Sequence, residues 1–175
     1  FLYARLFFKV LFVCVEGDSE EAFIRFIKKT YSRGKTHITI ENAYGGSPDV
    51  IAETAIKSES RLDSTTHKIV WFDNDKDLSK EWEEQLKHDG FMILRSKPCL
   101  EGELFQILGE EKKYNKNQAK RCKKDFQRKH LNGRTCLETD DCEKLFGKIF
   151  LPHQFEFPSE VITYLIKIAS KIKIW

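Results

Sequence analysis

The chain has 175 residues, of which 41% are hydrophobic and 13% aromatic, and this composition excludes a disordered chain and indicates a packed globular domain. The formal net charge of +3 does not by itself indicate any class of partner. The distribution of charge is more informative, because residues 112–134 carry a net charge of +9 and the rest of the chain carries −6. The sequence therefore describes an acidic body with a strongly basic segment attached.

The cysteines and the apolar start of the chain bear on its compartment. The five cysteines are scattered and odd in number, which is typical of free thiols in a reducing compartment. Only Cys136 and Cys142 lie close together, and no second pair is near enough to complete a zinc site. Residues 1–15 are apolar, but Arg5 and Lys9 interrupt a stretch that is too short to span a bilayer. We therefore expect a soluble, cytoplasmic protein that has no membrane partner.

Strands and helices alternate through the first 109 residues. Residues 10–15 and 69–72 are short, continuous apolar runs, which are typical of strands buried on both faces of a parallel sheet. Each predicted strand is followed by a stretch with helical periodicity or helix-capping residues. The predicted strands cover residues 9–15, 37–41, 69–72 and 91–94, and the helices that follow them end near residues 34, 61, 90 and 108.

The remainder of the chain is predicted to be helical. Residues 112–134 have few apolar positions and predict either a surface helix as far as His130 or a poorly ordered arm. A short helix is predicted within residues 140–150, and an amphipathic helix over residues 159–174. We therefore expect an α/β domain of residues 1–109, with a parallel-rich four-stranded sheet flanked by helices, and a basic, helical extension of residues 110–175 packed on it.

Acidic residues follow two of the predicted strands. Glu16 comes directly after the first strand, and Asp73 and Asp75 come directly after the third. The carboxyl ends of parallel strands meet at one edge of a sheet, where open α/β sheets bind their ligands. Carboxylates crowded there repel one another, and a hard cation such as Mg²⁺ or Mn²⁺ would neutralise them. Two simpler alternatives remain open, namely that Glu16 and Glu20 only stabilise a helix N-terminus and that residues 73–77 only form a capping turn.

Three motifs in order resemble the Toprim domain, over residues 10–109. The motifs are Val15-Glu16-Gly17-Asp18-Ser19-Glu20, Phe72-Asp73-Asn74-Asp75 and Ser96-Lys97-Pro98-Cys99-Leu100-Glu101. The third resembles the Ser-x-Pro-Cys-x-Glu segment of the RloB-like branch of Toprim nucleases, a group related to the OLD-type nucleases. Two departures are a compressed motif around Trp71 and Ser19-Glu20 where members commonly have Thr-Glu. The resemblance implies a Toprim-like fold.

The resemblance also implies a metal-dependent nuclease that cleaves phosphodiester bonds of DNA or RNA. In this interpretation Glu16, Asp73 and Asp75 hold Mg²⁺ or Mn²⁺ and are catalytic. With Glu20 and Glu101 they can hold a second ion about 4 Å away. Lys97 would contact the scissile phosphate. Two alternatives remain open here as well, because Glu101 can be an ordinary exposed helix acid and Lys97 an ordinary loop lysine.

The relatives also suggest a biological role and partners. The implied role is bacterial anti-phage defence, with a larger complex that contains an ATPase as a possible setting. The alternative function is a non-catalytic Toprim scaffold or nucleic-acid-binding module within a larger complex. The basic segment is either a solvated surface or a site for phosphates of a nucleic acid. The residues predicted to contact nucleic acid are Lys112, Lys113, Lys120, Arg121, Lys123, Lys124, Arg128 and Lys129.

Overall fold

The computed structural model of the chain describes residues 9–31, 36–62, 67–110 and 113–148. It confirms the predicted fold class, since four parallel strands form one sheet and helices flank it. The strands are β1 (Lys9–Val15), β2 (Thr36–Asn42), β3 (His67–Asp73) and β4 (Phe91–Ser96). The helices are α1 (Asp18–Tyr31), α2 (Pro48–Glu59), α3 (Lys80–His88), α4 (Leu100–Ile107), α5 (Ala119–His130) and α6 (Thr139–Phe146). The helix predicted over residues 159–174 lies outside the described residues.

The strand order places the two acid-tipped strands side by side. The order is β2-β1-β3-β4, so β1 and β3 are the inner strands and pair directly with each other. In this pairing Val15 lies opposite Trp71, and on the other side of β3 Asp73 lies opposite Ser96. All four strands run in the same direction, so the loops that follow them lie at one edge of the sheet.

Both faces of the inner strands are buried, as their continuous apolar sequences predict. Leu11, Val13 and Val15 of β1 belong to a large core that includes side chains of α1, α4, α5 and α6. The alternate residues Phe12 and Cys14 belong to a smaller core with side chains of α2 and α3. This alternation follows from the two-residue period of a strand, because successive side chains point to opposite faces.

Helix α5 lies in the basic segment and is held on the sheet by a narrow apolar stripe. Ala119, Cys122 and Phe126 are its buried residues, at spacings that place them on one face of a helix. The ring of Phe126 meets Phe105 of α4 edge to face, with 5.1 Å between ring centroids. A helix, and not a poorly ordered arm, therefore carries most of the basic side chains.

Helix α6 packs on the opposite part of the same core. The ring of Phe146 contacts Phe23 of α1, with 6.0 Å between centroids, and Phe26, with 6.3 Å. Residues of α5 and α6 therefore share one hydrophobic core with the strands. In the ranges that the structure describes, no helix combines the length and the apolar character that crossing a membrane requires.

Candidate functional site

The ends of β1 and β3 are joined through Glu16. Its backbone N–H donates a hydrogen bond to the carbonyl oxygen of Trp71, at 3.1 Å. Its side-chain Oε2 accepts a hydrogen bond from the backbone N–H of Asp73, at 2.9 Å. The sequence predicted that Glu16 and Asp73 lie at the same edge of the sheet, and the structure brings them into direct contact.

Asp73 is the most deeply buried acid at this edge, with 1% of its surface exposed. Its Oδ1 accepts a hydrogen bond from the backbone N–H of Leu100, the first residue of α4, at 3.0 Å. Its Oδ2 lies 2.6 Å from the Nζ atom of Lys123, which is in α5. Both carboxylate oxygens are therefore engaged, one by a helix N-terminus and the other by an ammonium group.

Two further glutamates are buried close to Asp73. Glu20 in the first turn of α1 is 6% exposed, and Glu101 in the first turn of α4 is 7% exposed. Glu101 Oε2 is buried without a hydrogen-bond partner among the described residues. The alternative of an exposed helix acid at Glu101 is therefore wrong. We refer to Glu16, Glu20, Asp73 and Glu101 as the acidic cluster.

The members of the acidic cluster affect one another's protonation. Burial, with contributions from Glu16 and Glu101, raises the pKa of Asp73 to about 7, although Lys123 acts in the opposite direction. Burial also raises the pKa of Glu20 well above its usual value, and the charges of Asp73 and Glu101 add to this effect. Desolvation and mutual repulsion therefore make full ionisation of the cluster costly unless a cation shares the space.

Among the described residues, Lys123 brings a positive charge into contact with the acidic cluster. Burial disfavours its charged form, but Asp73, Glu101 and Glu20 outweigh burial and raise the pKa of Lys123 above its usual value. The ammonium is therefore charged at neutral pH. Lys123 is one of the residues predicted to contact nucleic acid, whereas the structure directs its side chain to Asp73. The sequence signal that distinguishes Lys123 from the other basic residues of the segment is its position next to Cys122, which is buried in α5.

The other two predicted catalytic residues, Asp75 and Lys97, stay predictions. Asp75 is half-buried in the turn after β3, and among the described residues no hydrogen bond or ion pair joins its side chain to the cluster. Lys97 is exposed, and its backbone N–H donates to Oε1 of Glu103 at 3.0 Å. The turn after Asp75 does not cap α3 through an aspartate, because Ser79 is the N-cap residue.

The acidic cluster has the ligand chemistry of a divalent-ion site in part. Its donors are carboxylate oxygens, which suit Mg²⁺ and Mn²⁺, and Glu101 Oε2 is a buried oxygen that still needs a partner. Within the described ranges, however, no three or more carboxylate, histidine or cysteine side chains are arranged as a ready ligand set. The residue chemistry therefore fits a hard cation, but Asp73 Oδ2 is occupied by the Lys123 ammonium.

The other basic side chains of the segment form an exposed surface. Those that are predicted to contact nucleic acid and that the structure describes are Lys113, Lys120, Arg121, Lys124, Arg128 and Lys129, and we call them the basic face. Some of them are paired with acids, since Arg128 lies 2.8 Å from Asp125 and Lys129 lies 2.6 Å from Glu110. Lys112, also predicted to contact nucleic acid, lies outside the described residues. The side chains of the basic face are exposed, whereas that of Lys123 is half-buried against Asp73.

Comparisons of the chain with family models, with curated proteins and with solved structures find no match. The resemblance to Toprim domains therefore stays a prediction that depends on the three motifs.

Proposed function

We propose that the protein is a divalent-metal-dependent nuclease of the Toprim type, which hydrolyses phosphodiester bonds of DNA or RNA. The observation that carries this proposal is the acidic cluster at the carboxyl edge of the sheet, where Glu20, Asp73 and Glu101 are buried and Glu16 is half-buried. A cluster of buried carboxylates is unfavourable for folding, since each acid must lose water and repel its neighbours. Such an arrangement is typical of a site whose function requires it.

The chain's own residues have distinct roles in this proposal. Asp73, Glu20 and Glu101 would hold Mg²⁺ or Mn²⁺, and a bound ion of this kind activates water and stabilises charge on phosphate oxygens. Glu16 would contribute its remaining oxygen, while its Oε2 keeps the ends of β1 and β3 together. The backbone N–H of Leu100 fixes the orientation of the Asp73 carboxylate. Asp75 is proposed as a ligand at the rim of the site.

The substrate class is proposed from the charge of α5. All members of the basic face except Lys113 lie on the same helix that delivers Lys123 to Asp73, so a phosphate backbone bound there would pass close to the acidic cluster. Lysines and arginines bind such a backbone with little dependence on sequence and with strong dependence on salt. DNA and RNA share this chemistry, and both belong in the test. Lys97 is exposed and is proposed as a further contact to phosphate.

The test compares two aspartates that lie four residues apart. We expect the wild-type protein to cleave plasmid DNA or structured RNA in Mn²⁺ and to lose this activity in EDTA. Asp73→Asn should reduce the cleavage rate by at least about 100-fold, because it removes a charge that the ion requires. Asp77→Asn is the matched control, since the Asp77 side chain is 84% exposed and pairs with Lys116 outside the cluster. Equal cleavage by wild type and Asp73→Asn would overturn the proposal.

A second candidate function is a non-catalytic Toprim module, which binds nucleic acid or acts as a scaffold. The ion pair between Lys123 and Asp73 favours it, because a lysine can neutralise the cluster permanently in the place of a metal. Calorimetry separates the two candidates. Heat of binding at millimolar Mg²⁺ or Mn²⁺ that disappears in Asp73→Asn supports the nuclease, and its absence supports the module.

The biological setting is proposed from the resemblance. We propose a role in bacterial anti-phage defence, within a complex that includes an ATPase. All five cysteines are free, which supports a location in the reducing cytoplasm.

A further inference from the structure

We propose that Lys123 is an internal counter-ion that a divalent metal ion must displace from Asp73, so that Lys123 sets the metal affinity of the acidic cluster. The inference rests on the proposed function, because it concerns the same metal site. The new element is that an ammonium group and the metal ion compete for Asp73. This ammonium belongs to Lys123, which lies outside the three motifs.

The ammonium group of Lys123 occupies a place that a metal ion would need. Lys123 Nζ lies 2.6 Å from Oδ2 of Asp73, and the other oxygen of this carboxylate already accepts the N–H of Leu100. A metal ion that takes Asp73 as a ligand needs one of these two oxygens. The Leu100 N–H belongs to the backbone of a buried helix start and cannot move away alone. Oδ1 has a second lone pair and could bind an ion while it keeps the Leu100 bond. The ammonium is the partner whose charge opposes an ion at either oxygen and whose side chain can move away.

A divalent ion and a lysine ammonium placed in one buried cluster repel each other strongly, because little water is present to screen them. The acidic cluster offers four carboxylates, and one of them, Glu101, keeps an oxygen that has no hydrogen-bond partner among the described residues. The lysine therefore neutralises only part of the cluster, and a divalent ion would neutralise more of it. Exchange of one cation for the other is favourable when enough metal is present.

The exchange of the ammonium for a metal ion requires only a side-chain movement. Helix α5 is held by Cys122 and Phe126, which are fully buried. The Lys123 side chain is 34% exposed, so its flexible four-carbon stem reaches from the helix surface into the cluster. Rotation about these bonds can return the ammonium to solvent beside the exposed Lys120 and Lys124, while the helix stays in place.

The experiment measures Mn²⁺ binding by titration calorimetry on the full chain at about pH 8, where the carboxylates are ionised to the greatest extent. Lys123→Met keeps much of the stem and removes the charge, and we expect it to bind Mn²⁺ about tenfold more tightly than the wild type. Lys57→Met is the matched control, because Lys57 is exposed on α2 and lies outside both the acidic cluster and the basic face. Its affinity should equal that of the wild type.

Thermal unfolding supplies a second readout that does not depend on activity. In EDTA, Lys123→Met should unfold at a lower temperature than the wild type, because Asp73 loses its counter-ion. Saturating Mn²⁺ should raise the unfolding temperature of Lys123→Met more than that of the wild type, in proportion to the tighter binding. An equal rise in both proteins would overturn the proposal.

A second variant changes the affinity in the opposite direction and guards against poor folding of the first. Lys123→Arg keeps the charge and can hold a carboxylate through two N–H groups, so it should compete better and weaken Mn²⁺ binding about tenfold. Equal or tighter Mn²⁺ binding by Lys123→Arg would overturn the inference while leaving the metal site intact. If folded wild type and folded Lys123→Met both fail to bind Mn²⁺, the proposed function fails together with the inference.

Discussion

Oε2 of Glu16 accepts a hydrogen bond from the backbone N–H of Asp73, at 2.9 Å, across the ends of two neighbouring parallel strands. This bond gives Glu16 a structural role in addition to its charge. Glu16→Gln keeps a side-chain oxygen that can accept the same bond, so we expect its free energy of unfolding to stay within about 0.5 kcal/mol of the wild type. Glu16→Ala leaves the Asp73 N–H without this acceptor and should lose about 1–3 kcal/mol.

The two variants should be measured by urea denaturation and by Mn²⁺ calorimetry. We expect both to bind Mn²⁺ more weakly than the wild type, because both lack the Glu16 charge. Only Glu16→Ala should be less stable. Equal stability of the two variants would show that the hydrogen bond contributes nothing, and undiminished Mn²⁺ binding by Glu16→Gln would remove Glu16 from the metal site.

The inner strands and their acidic ends could be predicted because the information is local in sequence. Two short apolar runs specify strands that are buried on both faces, and the acids that end them must then lie at one edge. The contact between Glu16 and Asp73 follows from the pairing of β1 with β3. Burial of Glu101 was one of two open alternatives, because a single acid in the first turn of a helix does not reveal what covers it.

The place of Lys123 could not be predicted, because it depends on how α5 packs. Lys123 is 50 positions after Asp73, among many other basic residues. The buried stripe of Ala119, Cys122 and Phe126 decides which flank of the helix faces the cluster, and its small and aromatic members are a weak signal in a basic sequence. The same limit applies to Lys97, whose side chain is exposed although its motif neighbour Glu101 is buried.

The free energy of unfolding should depend on pH, because ionisation of the buried Asp73 carboxyl is unfavourable in the folded protein. Burial raises its pKa to about 7, whereas the pKa of an unfolded aspartate is about 3.9. Between these values the folded protein keeps a proton that the unfolded chain has released. The free energy of unfolding therefore decreases as the pH rises from about 4 to about 7, by roughly 1.4 kcal/mol for each unit of pKa difference at most.

Urea denaturation in EDTA at several pH values tests this expectation. The contribution of Asp73 should make the wild type more stable near pH 4 than near pH 7. Asp73→Asn cannot titrate at this position, so its stability should change less over the same range. A steeper decrease in the variant than in the wild type would contradict the assignment of the raised pKa to Asp73.

The basic face should control the salt dependence of nucleic-acid binding. Lys113, Lys120 and Lys124 are exposed on or beside α5, and we expect that changing all three to Gln weakens binding to single-stranded and double-stranded DNA alike. The slope of the logarithm of affinity against the logarithm of salt concentration should become shallower by about 2–3, since each phosphate contact contributes about 0.7–0.9. Fluorescence anisotropy in EDTA measures binding without cleavage.

The matched control for the basic face removes three exposed lysines from the opposite face of the sheet. Lys57 of α2 and Lys80 and Lys87 of α3 are exposed on helices that pack on the smaller core. Changing these three to Gln alters the net charge by the same amount and should leave the salt slope nearly unchanged. An equal reduction of the slope by both triple variants would indicate a general effect of net charge, and the basic face would lose its assigned role.

The hydrogen bond between Trp71 and Ser96 should stabilise the sheet next to the acidic cluster. The indole Nε1–H of Trp71 donates to Oγ of Ser96 at 2.7 Å, and both residues are completely buried. Ser96→Ala leaves the indole N–H buried without its acceptor, so we expect a loss of about 1–3 kcal/mol in the free energy of unfolding. Ser60→Ala is the control, because the Ser60 hydroxyl is exposed at the end of α2 and its removal should cost less than about 0.5 kcal/mol. Urea denaturation followed by circular dichroism compares the two variants. Equal losses of unfolding free energy would show that the buried hydrogen bond stabilises the protein no more than the exposed hydroxyl does.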